Sequence, residues 1–276
     1  MTHAFVTIDP ERCNQDGICA AECPVKILGF PKKGETPSLV QGGEALCIRC
    51  GHCVAVCPTA AIRLNFLAPE DCTPVDRNLL PDEKATEHLL ATRRSIRNYK
   101  KESVDKDRIE KLLATASLAP TGHNSRCVQW LVIHDTQEVR RLTTMVADWM
   151  RYMIKEQPAM AKAFHLEETV AGFDLGLDVI CRDAPHIVVA CAHKAAPTGA
   201  IDCATALAYL ELAAPPMGLG TCWAGFFNIA ATFWPPLKEA LGLPKGVNNH
   251  GAVLLGVPRF KYHRIPPRQA ASIRWV

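Results

Sequence analysis

The sequence predicts a two-part chain of mixed helix and strand, the larger part of α/β or α+β type. Three observations carry that expectation. Seven of the thirteen cysteines fall between Cys13 and Cys57. The segment that holds them is internally duplicated. Beyond it, apolar residues recur at helical spacing in some stretches and as short continuous runs in others, so that helices and strands interleave.

Bulk properties exclude several classes. A chain of 276 residues can bury a substantial core, and 48% hydrophobic with 21% charged residues is an ordinary globular composition. A net charge of +3 with no basic stripe gives no footprint for nucleic acid. MTHAFVTIDPERC has neither a basic n-region nor an apolar h-region. No apolar run reaches membrane-spanning length: the stretch after Ile201 is interrupted by Asp202, Glu211, Pro215 and Pro216. The expectation is a soluble, cytoplasmic protein without membrane or nucleic-acid partners, in a compartment where thiols stay reduced.

The elements follow in order. Cys13-x5-Cys19-x3-Cys23-Pro24 overlays Cys47-x2-Cys50-x2-Cys53-x3-Cys57-Pro58 without a gap, Gly17 falling on Gly51 and Leu28 on Ile62. Asp16 falls on Cys50, the one position where the halves differ in a candidate ligand. PKKGETPSLVQGG between them reads as a turn-rich connection with a short strand at residues 38–40. Residues 1–66 thus form the first domain. Residues 67–84, with Pro69, Pro74 and Pro81, read as a linker, and residues 85–276 as the second domain. Helical periodicity covers 85–96 and 105–117, where Ile109, Leu112, Leu113 and Ala116 share a face. Residues 128–134, 186–192 and 251–257 suit buried strands. Residues 137–183 read as largely helical, and 201–214 as a buried helix ended by Pro215–Pro216.

The cysteine pattern carries chemistry. Thiolates are soft donors, and short spacings let one loop wrap a compact cluster. C-x2-C-x2-C-x3-C-P is the bacterial ferredoxin run, in which the fourth cysteine serves the other of two clusters. Cys47, Cys50, Cys53 and Cys57 match it in full, so Cys23 joins Cys47, Cys50 and Cys53, while Cys57 joins Cys13 and Cys19. Residues 1–66 resemble the two-cluster bacterial-type ferredoxins. Zinc knots ordinarily use two separated CxxC pairs and do not need this doubled run. At Asp16 three readings stand open: the carboxylate completes a [4Fe–4S] cluster, the site holds [3Fe–4S], or it holds no stable cluster.

Four segments of the second domain suggest a further site. Arg93, Arg94, Ser95 and Arg97, at the end of a predicted helix, offer three guanidinium groups and a hydroxyl for a terminal phosphate. Alone, such a run is more often a solvated helix end. Pro120, Thr121, Gly122 and Asn124 form a loop of small residues suited to the edge of a flat ring; a plain connecting loop is the alternative. Cys222, Trp223, Ala224 and Gly225 combine glycine with an aromatic ring, and a tight turn into a strand would look the same. Gly256-Val257-Pro258 is followed by Arg264 and Arg268, basic residues of either a phosphate site or an exposed tail.

Taken in this order, residues 85–268 resemble the FMN-dependent nitroreductase family, and the whole chain resembles a ferredoxin–nitroreductase fusion. The resemblance implies an α+β sandwich that forms a homodimer with FMN at the subunit interface. It implies that Arg93, Arg94, Ser95, Arg97 and Arg268 hold the phosphate. Pro120, Thr121, Gly122 and Asn124 would reach the flavin from the other subunit. Cys222, Trp223, Ala224 and Gly225 would border the ring, with a backbone N–H near N5. No side-chain nucleophile or acid–base pair is evident, consistent with a cofactor that carries the chemistry. His123 reads as a loop histidine facing solvent, and Asp202 and Glu211 as helix-capping or dimer-contact residues. The function implied is an oxidoreductase that passes electrons between iron–sulfur clusters and FMN, to reduce a small electron-poor acceptor such as a nitroaromatic, quinone or activated alkene. The donor would be an external ferredoxin or NAD(P)H, and no GxGxxG after a strand marks a separate dinucleotide domain. An electron carrier or redox sensor without a substrate is the alternative.

Overall fold

The computed structural model describes residues 4–32 and 34–276. Two compact units emerge: residues 1–81 together with 123–125, and residues 82–122 together with 126–276.

The first unit repeats its half-structure at the interval read from the cysteines. Strand β1 (Val6–Ile8), helix α1 (Ile18–Glu22) and strand β2 (Leu28–Gly29) are followed by β3 (Ser38–Leu39), α2 (Gly43–Leu46), α3 (His52–Val56) and β4 (Ile62–Leu64). The halves pair crosswise, β1 antiparallel with β4 and β2 antiparallel with β3. The duplication extends to the backbone. Gln15 and Arg49, Gly17 and Gly51, and Lys26 and Ala60 all have positive φ at matching positions. Gly17 and Gly51 enter α1 and α3 at φ 73° and 75°, a left-handed turn that glycine adopts without a Cβ penalty. Residues 67–81 stay with this unit: Leu67 bridges to Leu64, and Arg63 pairs with Glu70 at 2.9 Å. The tripeptide 123–125 joins it through Asn124, whose Nδ2 donates to the carbonyls of Ile48 and Arg49, each at 3.1 Å.

The second unit is a sandwich around one antiparallel sheet. Helices α4 (Glu83–Thr92) and α5 (Lys106–Ala116) precede β5 (Gln129–Ile133). Helices α6 (Thr136–Glu156), α7 (Pro158–Ala163) and α8 (Leu166–Asp174) lead to β6 (His186–His193). Then come α9 (Gly199–Ala213), β7 (Gly220–Trp223), α10 (Gly225–Phe233), α11 (Pro235–Ala240) and β8 (Val247–Gly256). The sheet runs β5-β6-β8-β7, every pairing antiparallel.

Both faces of the central strands are covered, so these strands read as continuous apolar runs. Ile187, Val189 and Cys191 of β6, with Ala252 and Leu254 of β8, face a core that takes in Val139, Leu142, Val146 and Met150 of α6 and Phe227 of α10. Val188, Ala190 and Ala192, with Val253 and Leu255, face Ile109 and Leu112 of α5 and Cys203, Leu207 and Leu210 of α9. Asp82 and Asp135 cap α4 and α6, their carboxylates accepting from the N–H groups of Ala85 and Gln137. No described helix is long and apolar enough to cross a membrane.

Three sequence expectations shift here. The helix expected over 85–96 ends at Thr92, because the N–H of Ile96 bonds the Thr221 carbonyl at 2.8 Å and draws the chain into an extended run along β7. The helical stretch expected over 137–183 stops at Asp174; Gly176, at φ 85°, and a turn around Asp178 replace its end. Helices α10 and α11 were not anticipated from sequence.

A polar knot lies beside the start of β6. The His186 and His134 rings stack with centroids 4.4 Å apart. His186 Nε2 accepts from the Val104 N–H at 2.8 Å, so the proton of its neutral ring sits on Nδ1 and is donated to the His134 carbonyl. His134 Nε2 lies 2.8 Å from the Val104 carbonyl. Burial lowers the His186 pKa; the hydrogen bond to the His134 carbonyl opposes this, and the charge of the His134 ring adds to it. A depressed imidazole contributes stability that is complete above its unfolded value of about 6.5 and is lost as pH falls through the lower folded value. The urea midpoint of the second unit should therefore rise between pH 5.5 and pH 7.5 in the wild type. The rise should be smaller in His186→Gln; equal slopes would show that His186 is not the titrating group.

Candidate functional sites

The cysteines of the first unit converge in two sets. Cys23, Cys47, Cys50 and Cys53 line one cavity, together with Val6 and Leu64. Burial pushes the Cys53 thiol up to about 11, and Cys50, Cys23 and Cys47 add to the rise. Cys19 is likewise raised by burial, and Cys57, Cys13 and Asp16 each push in the same direction. The electrostatic neighbours of Cys53 are thus the other members of its set, and those of Cys19 the other members of the second. At Cys57 burial raises the pKa, but Thr59 and the Ala61 N–H, 3.3 Å from Sγ, outweigh it and bring the thiol below its usual value. The Arg49 N–H donates to Cys47 Sγ at 3.4 Å.

These donor sets fit iron–sulfur clusters. Crowded, partly buried thiolates that repel one another are stable only beside compensating positive charge, which cluster iron supplies. No three described His, Cys, Asp or Glu side chains close on a single metal-ion position. Sulfurs spread around a cavity suit a cluster, in which each ligand meets a different iron, better than one tetrahedral ion. Asp16 has one carboxylate oxygen engaged, Oδ1 accepting from the Ile18 N–H at 3.1 Å.

In the second unit the extended run after α4 divides the arginines. Arg93 Nη1 lies 3.2 Å from Glu211 Oε1, and Trp223 Nε1 donates to Glu211 Oε2 at 2.9 Å. Glu211 is thus gripped from two sides, with only 9% of its side chain exposed. Ser95 and Arg97, at alternate positions, act on Cys222: the Ser95 hydrogen bond and the Arg97 charge oppose the rise that burial imposes on its thiol. Arg94 instead folds onto the carbonyls of Ala91 and Arg93 at 2.8 and 2.7 Å. It lines a solvent-open cavity of 610 Å³ with Lys100, Thr221, Pro258 and Lys261. The run is therefore an extended segment with two sides, bridged to β7 at Ser95, rather than one cationic helix end.

The loop 120–122 is pinned by a carboxylate of α9. Asp202 Oδ1 accepts from the Gly122 N–H at 3.0 Å, and Oδ2 accepts from Thr198 Oγ1 at 2.8 Å and Cys127 Sγ at 3.2 Å. A Cβ on Gly122 would stand 2.5 Å from Thr198 Oγ1, so only glycine permits this approach. Thr121 Oγ1 accepts from the Arg126 N–H at 3.0 Å, and Pro120 is exposed. His123 is exposed, as expected. Asp202 and Glu211, read from sequence as capping or dimer-contact residues, are cross-links to segments distant in sequence.

Beyond β7 the N–H of Ala224 bonds the Ala252 carbonyl at 2.9 Å, so Gly225, the first residue of α10, carries the first uncommitted amide of that segment. Arg268 stands exposed in the irregular tail after β8 and makes no hydrogen bond or ion pair with a described residue. One residue near the arginine run went unrecognised in the sequence. Arg182 acts electrostatically on both Cys222 and Tyr99, as Arg97 does. Its turn lacks any local motif that would have announced it.

Residues 12–62 match the 4Fe-4S dicluster domain, and residues 90–257 match the Nitroreductase family. A cluster-binding domain joined to this α+β sandwich marks the protein as an oxidoreductase. The second match spans more than half of the chain, and the chain belongs to the nitroreductase family. A protein of Archaeoglobus fulgidus described as an NADH dehydrogenase/NAD(P)H nitroreductase is 28% identical over 171 residues, 62% of this chain and 84% of its own. The fold is shared with an FMN-bound nitroreductase of Bacteroides fragilis (TM-score 0.59, 20% identity, 71% of this chain and 100% of that one). It is shared too with an FMN-bound nitroreductase of Desulfitobacterium hafniense (TM-score 0.55, 20% identity, the same coverage).

The Glu211 clamp makes a direct prediction. Glu211→Ala leaves the Trp223 N–H and the half-buried Arg93 without their acceptor and should cost about 1–3 kcal/mol in a urea titration. Glu211→Gln keeps one acceptor and should cost less. Equal stability of Glu211→Ala and the wild type would mean that the clamp holds nothing in place.

Proposed function

We propose that the protein is an iron–sulfur flavoprotein that passes electrons between two ferredoxin-type clusters and FMN to reduce a small electron-poor acceptor. The observation that carries this reading is the pair of converging ligand sets, four cysteines in one and three cysteines with Asp16 in the other, in a chain whose other unit belongs to the nitroreductase family. Clusters exchange single electrons, whereas FMN, when bound, can take them up singly and deliver a pair.

The chain's own residues would bind and orient these groups. Cys23, Cys47, Cys50 and Cys53 would ligate one cluster, and Cys13, Asp16, Cys19 and Cys57 the other. Arg93, Arg94, Ser95 and Arg97 would hold the flavin phosphate, with Arg268 joining from the tail. Pro120, Thr121, Gly122 and Asn124 would approach the ring. Cys222, Trp223, Ala224 and Gly225 would border it. Because the Ala224 N–H already serves the sheet, Gly225 is the amide left to face N5. Burial raises the Cys222 pKa, which fits a packing role beside the ring better than nucleophilic chemistry.

A homodimer accords with the outer stripe of α9. Ile201, Ala204, Ala208 and Tyr209 are exposed and uncharged on a helix that is apolar nearly all round. A soluble cytoplasmic setting, with an external ferredoxin or NAD(P)H as donor, completes the reading. The alternative, a carrier without turnover, draws on no observation of its own.

Anaerobic purification followed by iron, sulfide and flavin counts tests the cofactors, and stopped-flow mixing tests the route. Reduced ferredoxin should bleach the clusters before the flavin. Rapid flavin reduction by NADH with the clusters remaining oxidised would overturn the proposed route from the clusters to FMN.

Asp16→Cys supplies a fourth thiolate to the set of Cys13, Cys19 and Cys57 and should bring the two cluster EPR signals closer together. No change in either iron content or EPR would remove Asp16 from the ligand set.

A further inference from the structure

Arg182 lies 85 residues beyond Arg97, in the turn that feeds β6. Three backbone amides converge on one carboxylate there. Asp178 Oδ1 accepts from the N–H groups of Ile180 and Cys181 at 3.0 and 2.8 Å, and Oδ2 accepts from Asp183 at 2.9 Å. Within that clasp Arg182 and Asp183 sit at φ 60° and 50°, consecutive left-handed residues that are not glycine. Non-glycine residues persist in that region only where their surroundings impose it, and such positions concentrate at ligand-holding sites. The flanking Cys181 and Ala184 are fully buried, so the turn is anchored on both sides of the arginine.

Packing brings this turn to the phosphate run. Gly256 is wedged between Pro185 and Tyr99: a Cβ there would stand 2.8 Å from atoms of both. Tyr99 is tied back to the run by its hydroxyl, which donates to the Ile96 carbonyl at 2.6 Å. Arg182 and Arg97, reaching in from opposite directions in sequence, both act on Tyr99 and on Cys222. Neither guanidinium makes a hydrogen bond or an ion pair with any described residue. Two guanidinium groups acting on one spot repel each other unless an anion stands near, and Glu211, the carboxylate that also acts on Cys222, is already engaged by Arg93 and Trp223.

We propose that Arg182 is a further phosphate-binding residue of the flavin site, acting together with Ser95 and Arg97. This rests on the flavin reading given above. Arginine suits the role because its planar fork can take two phosphate oxygens at once, whereas lysine offers only a point charge.

Comparing FMN with riboflavin isolates the phosphate. Both are titrated, by quenching of flavin fluorescence, into the flavin-depleted full-length protein with its clusters in place. Arg182→Ala should weaken FMN binding roughly tenfold or more, the loss of one charge-assisted hydrogen bond, while leaving riboflavin affinity unchanged. Arg182→Lys should recover part of the difference. An unchanged FMN affinity, or an equal loss for the two flavins, would overturn the proposal, the second because it reports a disturbed turn. The flavin reading itself is judged on the wild type alone: if that protein binds FMN no more tightly than riboflavin, no phosphate site exists, and the inference falls with it.

Discussion

Two buried carboxylates on α9 organise the second unit. Asp202 and Glu211 lie nine residues apart, two and a half turns, on a helix whose other residues are all uncharged. Each reaches a segment far away in sequence, Asp202 the Gly122 amide 80 residues back and Glu211 the Arg93 guanidinium 118 residues back. Glu211 also holds Trp223, next to the strand edge along which the arginine run lies. One rigid helix thereby sets the position of three segments that share no local structure. Their geometry is inherited from the packing of α9 on the sheet, where Leu207 and Leu210 are fully buried.

The first unit solves a similar problem by repetition. A small cysteine-rich fold has little apolar surface to bury, and its own core is confined to a few residues such as Ile27, Leu28 and Ile62 around the cysteines. Crossed pairing of the two halves compensates: each sheet takes one strand from each half, and each quartet draws its last cysteine from the opposite half. Filling either site would therefore cross-link the halves, so ligand binding and folding are expected to be coupled.

Legibility in the sequence followed the range of the interactions. The quartets could be read because cluster chemistry ties ligand identity to short spacings, and the interval of 34 residues carried over even to the left-handed residues Lys26 and Ala60. The buried strands at β6 and β8 could be read because a doubly covered strand must be apolar throughout. The arginine run could be read as cationic but not as two-sided: alternation begins only once Ile96 bonds Thr221, a partner 125 residues away. Arginine and serine are compatible with a helix, and nothing local ended α4 at Thr92. Asp202 and Glu211 resembled caps because their true partners are remote. Arg182 lay in a stretch read as helical, and the clasp of Asp178 that displaces the helix is visible only in the folded chain.

Stability alone is a poor reason for these acids. A carboxylate taken out of water loses hydration that a single ion pair seldom fully restores, and well-packed apolar residues in its place are often as stable or more so. Leucine at both positions would suit a helix that already meets the sheet through Leu207 and Leu210. What leucine cannot do is hold a backbone amide, a guanidinium and an indole N–H at fixed places. Asp202 meets its desolvation by accepting from three donors, and Glu211 by accepting from two. Each acid is satisfied only while the segments it holds stay in register. The helix thus specifies one arrangement of the loop at Gly122, the run at Arg93 and the end of β7, an arrangement that apolar packing would leave free to slip.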